Sequence, residues 1–280
     1  MVVTRFSLTL GERAGEHWRN NTSVTCESAN SLIHLGEVIS EPDIDKREAL
    51  KGKHMRVIFN EELKAVADDL DRMAQDVRKA INGAGDALLN QNLEAAQAVI
   101  DGDIEIDALE SSVIDQCVKL LAKQNPVATD LRVVVSTLRL AATFERMGDL
   151  ARHIAEAARR TYPASPLPAD AQPLFAEMQA FLDHVADQVV SMLNDRDTKT
   201  AEEIILNDDK LDALHKKTFE LAQSENWSGT NQQLIDVVLI GRFMERLGDH
   251  AVSAARRVVF IVSGFDPSKE PTRDEGTDID

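Results

Sequence analysis

The six residues FERMGD at positions 144–149 return one hundred residues later as MERLGD at positions 244–249. A second motif repeats in the same order along the chain, because DIEIDAL at positions 103–109 corresponds to DDKLDAL at positions 208–214. Internal repetition over this length predicts two similar helical bundles rather than one irregular domain.

Amphipathic helices are indicated from Met55 onward, where apolar residues recur at alternating spacings of three and four. Proline and glycine signals separate these stretches, above all the three prolines of the segment 162–168. We therefore predict an all-α fold of two tandem, pseudo-symmetric three-helix bundles, residues 55–162 and 163–264. The seam of the first helix is Leu63, Val66, Leu70, Met73, Val77, Ala80, Ala84 and Leu88. The other five predicted helices run over about 93–123, 128–160, 174–195, 197–226 and 231–264.

The two ends of the chain lack this periodicity. Residues 1–54 show no sustained apolar period, which predicts a disordered extension and makes Met55 a candidate for the natural start of the protein. Residues 265–280 are acidic and contain two prolines, which predicts a disordered tail.

The composition limits the possible functions. With 48 acidic against 31 basic residues, the net charge of −17 argues against nucleic-acid binding, which needs a basic surface. Two cysteines are too few for a disulfide framework or a cysteine-based zinc site. The apolar runs are too short to span a bilayer, and the N-terminus does not have the pattern of a signal peptide, so we expect a cytoplasmic protein without membrane insertion.

Four acidic pairs lie on or beside the predicted apolar seams, each with a spacing of four residues that places both carboxylates on one helix face. In the third helix the pair, Glu145 and Asp149, continues a predicted core row of Leu131, Val135, Leu138 and Ala142. Buried carboxylates are costly unless they take up protons or bind cations, and oxygen ligands suit hard or borderline metals. If the helices pack side by side, two metal sites are predicted: Asp103, Asp107, Glu145 and Asp149 in one, and Asp208, Asp212, Glu245 and Asp249 in the other.

The acidic residues and glycines of these motifs also have simpler explanations than metal binding. Arg146 and Arg246 could neutralise the acids as ordinary ion pairs, and Gly148 and Gly248 could serve only close helix packing. The histidines near the motifs, His153 and His250, do not follow the repeat, so they lack the pattern of a ferritin-type di-iron site. The sequence contains no phosphate loop and no nucleophile elbow, and we predict no catalytic residues.

The repeated Glu-Arg-x-Gly-Asp motif and the acidic pair of the preceding helix resemble the PhoU family of phosphate-uptake regulators. The stretches 55–63 and 126–132 are also similar to that family's first repeat. The resemblance covers about residues 55–263 and implies two three-helix bundles that hold multinuclear clusters of iron, manganese, zinc or magnesium through the eight carboxylates.

The resemblance also implies a function and partners. Members of the family restrain phosphate uptake by the PstSCAB transporter and signal to the PhoR sensor kinase, so the implied partners are the ATPase subunit PstB and PhoR, together with a second copy of the chain as a homodimer. The expected protein is a non-enzymatic negative regulator of phosphate uptake and phosphate-starvation signalling. A carboxylate-bridged metalloenzyme and a metal-storage bundle are the alternatives.

Overall fold

A computed structural model describes the backbone of residues 41–265 and the side chains of residues 56–265. Within these ranges the chain forms helices and no strands, which confirms the predicted all-α fold. The helices are α1 (Glu41–Asn90), α2 (Leu93–Gln124), α3 (Ala128–Thr161), α4 (Gln172–Asp195), α5 (Thr198–Leu206), α6 (Asp208–Ala222) and α7 (Asn231–Ser263).

Helices α1, α2 and α3 form the first bundle. The predicted seam of α1 is buried from Val66 to Leu88, while Leu63 at its start is half-buried. Asp69 joins α1 to α2 by accepting a hydrogen bond of 2.6 Å from Gln116. The interior is mainly aliphatic, as the low aromatic content of the sequence requires. Charged and polar contacts at the edge of the bundle supplement it.

The second bundle consists of α4, α5, α6 and α7. Its middle segment was predicted as one helix, and the structure divides it at Asn207, whose backbone lies at φ −95° and ψ 1°. The Asn207 side chain donates to the carbonyl of Glu203 at 2.7 Å, a local side-chain hydrogen bond of the kind that competes with helix continuation. Asp197 caps α5 by accepting from the Lys199 backbone N–H at 2.9 Å.

The two bundles share one continuous apolar core. Helix α3 packs against α7, and each buries alanines completely at repeat-related positions, Ala151 and Ala155 in α3 and Ala251 and Ala255 in α7. Small side chains allow two helix backbones to approach closely, so the repeats are joined through their third helices.

The predicted core row of α3 was wrong in phase. Leu131 and Val135 are about 40% exposed and Ala142 is also exposed, whereas Leu140 and Phe144 are buried. Residues 133–135 are three successive valines, so the sequence supports two adjacent rows equally well. Contacts with both α2 and α7 select the other row, and Glu145 and Asp149 consequently lie at the edge of the core.

The helix α1 extends into the segment that was predicted to be disordered. It begins at Glu41, so residues 41–54 are helical. Pro42 stands in the first turn, where proline is tolerated, and the following residues include the good helix formers lysine, arginine, glutamate and leucine. Residues 1–40 and 266–280, the rest of the predicted disordered ends, lie outside the described residues. No helix among the described residues is long and apolar enough to cross a membrane.

Candidate functional site

A glycine in each repeat allows the two acidic motifs to meet. A Cβ atom at Gly148 would stand 3.0 Å from the Ile106 side chain and 3.4 Å from Asp103 Oδ1. A Cβ atom at Gly248 would stand 2.6 Å from the Leu211 side chain and 3.9 Å from Asp208 Oδ1. The glycines therefore bring α2 against α3 and α6 against α7, and each places the first aspartate of its repeat over the third helix. Close packing, one of the simpler explanations for these glycines, is confirmed.

In the first repeat Arg152 connects the acidic motifs. Its Nε lies 2.6 Å from Asp103 Oδ2, and one terminal nitrogen donates to Asp149 Oδ1 at 2.7 Å. The other terminal nitrogen donates to Glu156 Oε1 at 2.9 Å. The guanidinium, whose side chain is 26% exposed, is thus held by three carboxylates on two helices.

Arg146 adds a second positive charge at the outer edge of this site. It lies 3.3 Å from Glu145 Oε2 and 3.2 Å from Asp149 Oδ2, and its side chain is 61% exposed. Ion pairing by this arginine, which the sequence allowed as an alternative to metal binding, is therefore present. Asp107, the fourth predicted ligand, is exposed.

In the first site, burial and neighbouring carboxylates raise the pKa values of the acids, whereas Arg152 acts to lower those of Asp103 and Asp149. Burial raises the pKa of the Asp103 carboxyl despite the nearby guanidinium. Burial and the charge of Asp149 likewise raise the pKa of Glu145. Burial would also raise the pKa of Asp149, but the hydrogen bond and charge of Arg152, together with the charges of His153 and Arg146, outweigh it and lower that pKa.

The second repeat lacks the central arginine, because Val252 stands where the first repeat has Arg152. Glu245 is 91% buried (9% exposed), and its Oε2 atom has no hydrogen-bond partner. Its other oxygen, Oε1, accepts from Arg242, whose side chain is 52% exposed. A buried, half-satisfied carboxylate is costly, so this position requires a compensating partner.

A histidine that the sequence analysis missed lies within electrostatic range of the second site. His215 follows Asp212 by three residues on α6, and the repeat offset of 105 residues aligns it with Glu110. Its Nε2 atom is buried without a hydrogen-bond partner, and its ring packs on Phe219 with centroids 5.0 Å apart. Burial and the charge of Arg242 lower the pKa of His215, which favours the neutral imidazole.

Carboxylates of the second site repel one another in the same way as those of the first. Burial, with Asp212 and Asp249 nearby, raises the pKa of Asp208. Burial and the charge of Asp249 raise the pKa of Glu245. A bound cation would relieve this repulsion, and the set of carboxylates and one imidazole consists of groups that commonly bind metals.

The structure brings Asp103 and Asp149 together around Arg152, whereas Asp107, Asp212 and Asp249 are exposed. Within residues 56–265 no three aspartate, glutamate, histidine or cysteine side chains are arranged so that they could hold a metal ion as they lie. The arginines occupy part of the space, so metal binding would require Arg152 or Arg242 to turn away. In the second repeat the buried atoms Glu245 Oε2 and His215 Nε2 have no hydrogen-bond partner among the described residues.

Two other histidines lie near the acidic motifs, since His153 acts electrostatically on Asp149 and Asp249 acts on His250. His153 stacks on Phe243 of α7 with centroids 5.3 Å apart, which assigns it to the contact between the repeats. His250 is half-buried, and burial lowers its pKa. Arg152, His215 and Arg242 are the functional candidates that sequence reasoning missed, and comparison of aligned repeat positions would have revealed the first two.

Comparison with known proteins gives a consistent result. The family model described as PhoU domain matches residues 70–158 and 175–258, one match in each repeat. The chain is 35% identical over 216 residues to the phosphate-specific transport system accessory protein PhoU homolog 1 of Mycobacterium leprae, a match covering 77% of this chain and 97% of the relative. PhoU homolog 2 of Mycobacterium tuberculosis is also 35% identical, with 76% of this chain and 100% of the relative covered.

Two crystal structures share the fold. PhoU from Pseudomonas aeruginosa superposes with a TM-score of 0.67 at 24% identity, covering 74% of this chain and 100% of that one. The phosphate transport system regulatory protein PhoU from Streptococcus pneumoniae gives a TM-score of 0.66 at 22% identity and covers 74% and 98%.

Proposed function

This chain belongs to the PhoU family, and from that membership we propose that it is a non-enzymatic accessory protein of phosphate-specific transport. The observation that carries the proposal is the 35% identity to relatives of that name over nearly their whole length. The finer role is negative regulation: the protein restrains the PstSCAB transporter and keeps the sensor kinase PhoR inactive while phosphate is plentiful. It acts in the cytoplasm as a homodimer.

Exposed apolar side chains on the helices that carry the acidic motifs support an adaptor that docks on other proteins. In the first repeat Val118 is 53% exposed on α2, and Leu131 and Val135 are about 40% exposed on α3. In the second repeat Ile235 and Leu239 are about half exposed on α7. Apolar patches of this kind are typical of protein-binding surfaces.

A pull-down from phosphate-rich cells tests this role. Tagged protein should retain the transporter ATPase PstB and the kinase PhoR, and the double variant Val135→Asp with Ile235→Asp should lose them. Val57→Asp is the matched control, because Val57 is 47% exposed on α1, which carries none of the acidic motifs. Absence of both partners from the wild-type eluate would refute the adaptor role.

The acidic motifs are the second part of the proposal. Their eight carboxylates bind a cluster of iron, manganese, zinc or magnesium ions in each repeat. The raised pKa values of Asp103 and Asp208, caused first by burial and then by neighbouring carboxylates, support this. Bound metal would neutralise that charge and hold α2 to α3 and α6 to α7. Replacing Glu145 and Asp149 by alanine should remove about half of the bound metal if the two sites are equal in capacity and independent. An unchanged metal content would refute the assignment.

A further inference from the structure

A small cavity lies at the contact of α3 with α7, between the third helices of the two repeats. Its volume is about 170 Å³. The side chains that line it include His153, Glu156 and Arg160 of α3 and Asp236, Leu239 and Phe243 of α7. Pockets for small molecules measure about 300–1,000 Å³, so this cavity suits one long side chain rather than a cofactor.

Asp236 brings a buried charge with an unused oxygen to this cavity. The residue is 2% exposed, and its Oδ1 accepts hydrogen bonds from Arg160 at 2.5 Å and from Gln232 at 3.1 Å. Its Oδ2 is buried and has no hydrogen-bond partner among the described residues, and the same is true of His153 Nδ1. An unpaired oxygen on a buried carboxylate is costly, so the cavity lacks a hydrogen-bond donor.

Helix packing does not require a carboxylate at this position. The repeat offset of 100 residues aligns Asp236 with Ser136 and Arg160 with Phe260. Ser136 is 1% exposed, so the first repeat packs a neutral residue at the same place. A buried ion pair often adds little net stability, and the carboxylate of the second repeat therefore points to binding rather than to support of the fold.

The unused groups suit the ammonium of a lysine. A guanidinium binds a carboxylate best through both oxygens, and Arg160 already takes Oδ1, whereas a lysine ammonium is a compact charge that needs only one oxygen. Its three donors match three acceptors in the lining: Asp236 Oδ2, the Glu156 carboxylate and, with the imidazole proton on Nε2, His153 Nδ1. Glu156 also accepts from Arg152, which it shares with two aspartates.

Exposed apolar side chains lie beside the cavity. Leu239 lines it and is 47% exposed, and Ile235, one turn earlier on α7, is 51% exposed. Protein-binding hot spots commonly place one buried anchor among contacts that exclude water. We propose that the cavity receives a lysine side chain from a protein that docks on α3 and α7, with apolar residues of that protein on Leu239 and Ile235. The proposal rests on the adaptor role only in requiring a protein partner.

The ion n-butylammonium reproduces the end of a lysine side chain and is the probe for the cavity. Added to purified full-length protein, it should shift the methyl NMR signals of Leu239 and Ile240 in a saturable way, whereas butan-1-ol should not. Asp236→Asn should weaken this binding by about tenfold or more, because a hydrogen bond to a charged group is lost. Arg160→Gln frees Oδ1 and removes a repelling charge, so it should strengthen binding by about tenfold, a gain that an unfolded variant cannot give.

The pull-down from phosphate-rich cells tests the docking. Asp236→Asn, shown to be folded by circular dichroism, should retain no more than about a tenth of the PstB and PhoR that the wild type retains. Ser136→Ala, the matched variant in the first repeat, should retain them in full. Saturating n-butylammonium chloride should release the partners from the wild type, and sodium chloride at the same concentration should not.

The proposal is overturned if n-butylammonium does not bind the wild type, if Asp236→Asn binds it equally well, or if Asp236→Asn retains the partners in full. Each of these results leaves the adaptor role standing as long as the wild type retains its partners. A wild-type eluate without either partner would overturn the docking together with the adaptor role, even where n-butylammonium binds.

Discussion

Arg152 Nε lies 2.6 Å from Asp103 Oδ2 and thereby ties the third helix of the first repeat to the second helix. The same guanidinium donates to Asp149 at 2.7 Å, so one side chain spans both acidic motifs of that repeat. The corresponding position of the second repeat is Val252, whose apolar side chain cannot form such a connection. The repeats therefore share a fold but differ in how they balance the same carboxylates.

Removal of Arg152 should destabilise the metal-free protein. Arg152→Val leaves Asp103 and Asp149 without their cation, and we expect the free energy of unfolding to fall by about 1–3 kcal/mol. Lys79→Val is the control, since Lys79 is 70% exposed in its pair with Asp76 and should cost no more than about 1 kcal/mol. Urea denaturation with and without Mn²⁺ measures both. An Arg152→Val deficit that Mn²⁺ does not reduce would contradict the view that cation and arginine serve the same carboxylates.

Replacing three helix-internal glycines by alanine should change the free energy of unfolding by different amounts. Alanine in place of glycine favours a helix by about 1 kcal/mol. At Gly102 no atom lies within 4 Å of the new Cβ, so Gly102→Ala should stabilise the protein by about that amount. At Gly248 the new Cβ would stand 2.6 Å from the buried Leu211 side chain, and overpacking of this kind costs about 1–3 kcal/mol.

Gly148→Ala should fall between these two, because its nearest contact is 3.0 Å. Chemical denaturation of the three variants gives the order directly. Equal stabilisation by all three substitutions would mean that Gly148 and Gly248 do not set the approach of the helices.

Asp69 should make stability depend on pH. Burial by itself would raise the pKa of Asp69, but hydrogen bonds from Arg72, Gln116 and Ser112 outweigh it and lower the pKa below its usual value. A lowered native pKa contributes stability above the pKa of the unfolded chain, about 4, and that contribution is lost as pH falls through the native pKa.

The Asp69→Asn variant should therefore be less stable than the wild type at pH 7 by about 1–2 kcal/mol, with the difference shrinking towards pH 3. Asp68→Asn, at an exposed neighbouring position, is the control. Thermal denaturation at several pH values measures both variants. A difference that stays constant from pH 7 to pH 3 would rule out the charged network around Asp69.

Cys117 should be inert in the folded protein. The residue is fully buried in the core of the first bundle, and burial raises the pKa of its thiol to about 11. Because the thiolate is the reactive form, a Cys26→Ser variant should not react with a thiol reagent until it is denatured, and should then expose one thiol. Rapid reaction of the native variant would contradict the buried position.

Much of this architecture could be predicted from the repeated motifs and the apolar periodicity. The α1 seam from Val66 to Leu88 is an example, because the sequence offers a single apolar row there and the structure buries it. The phase of α3 could not be predicted, since its successive valines support two rows and only contacts with α2 and α7 choose between them.

The same limit applies to the candidate sites. The carboxylate spacing predicted which acids would meet, but the roles of Arg152 and His215 depend on contacts across two helices. Neither residue belongs to a motif, and each becomes informative only when it is compared with its repeat partner, Val252 or Glu110.

The most direct test of the proposed regulatory role is expression of a phosphate-starvation reporter gene in cells that lack the protein. Relatives in Mycobacterium tuberculosis include both a homolog 1 and a homolog 2, so any second copy in the source genome must be deleted as well. In phosphate-rich medium we predict high reporter expression in the deletion strain and restored repression when the wild-type gene is returned. Normal repression in the strain lacking every copy would contradict the account.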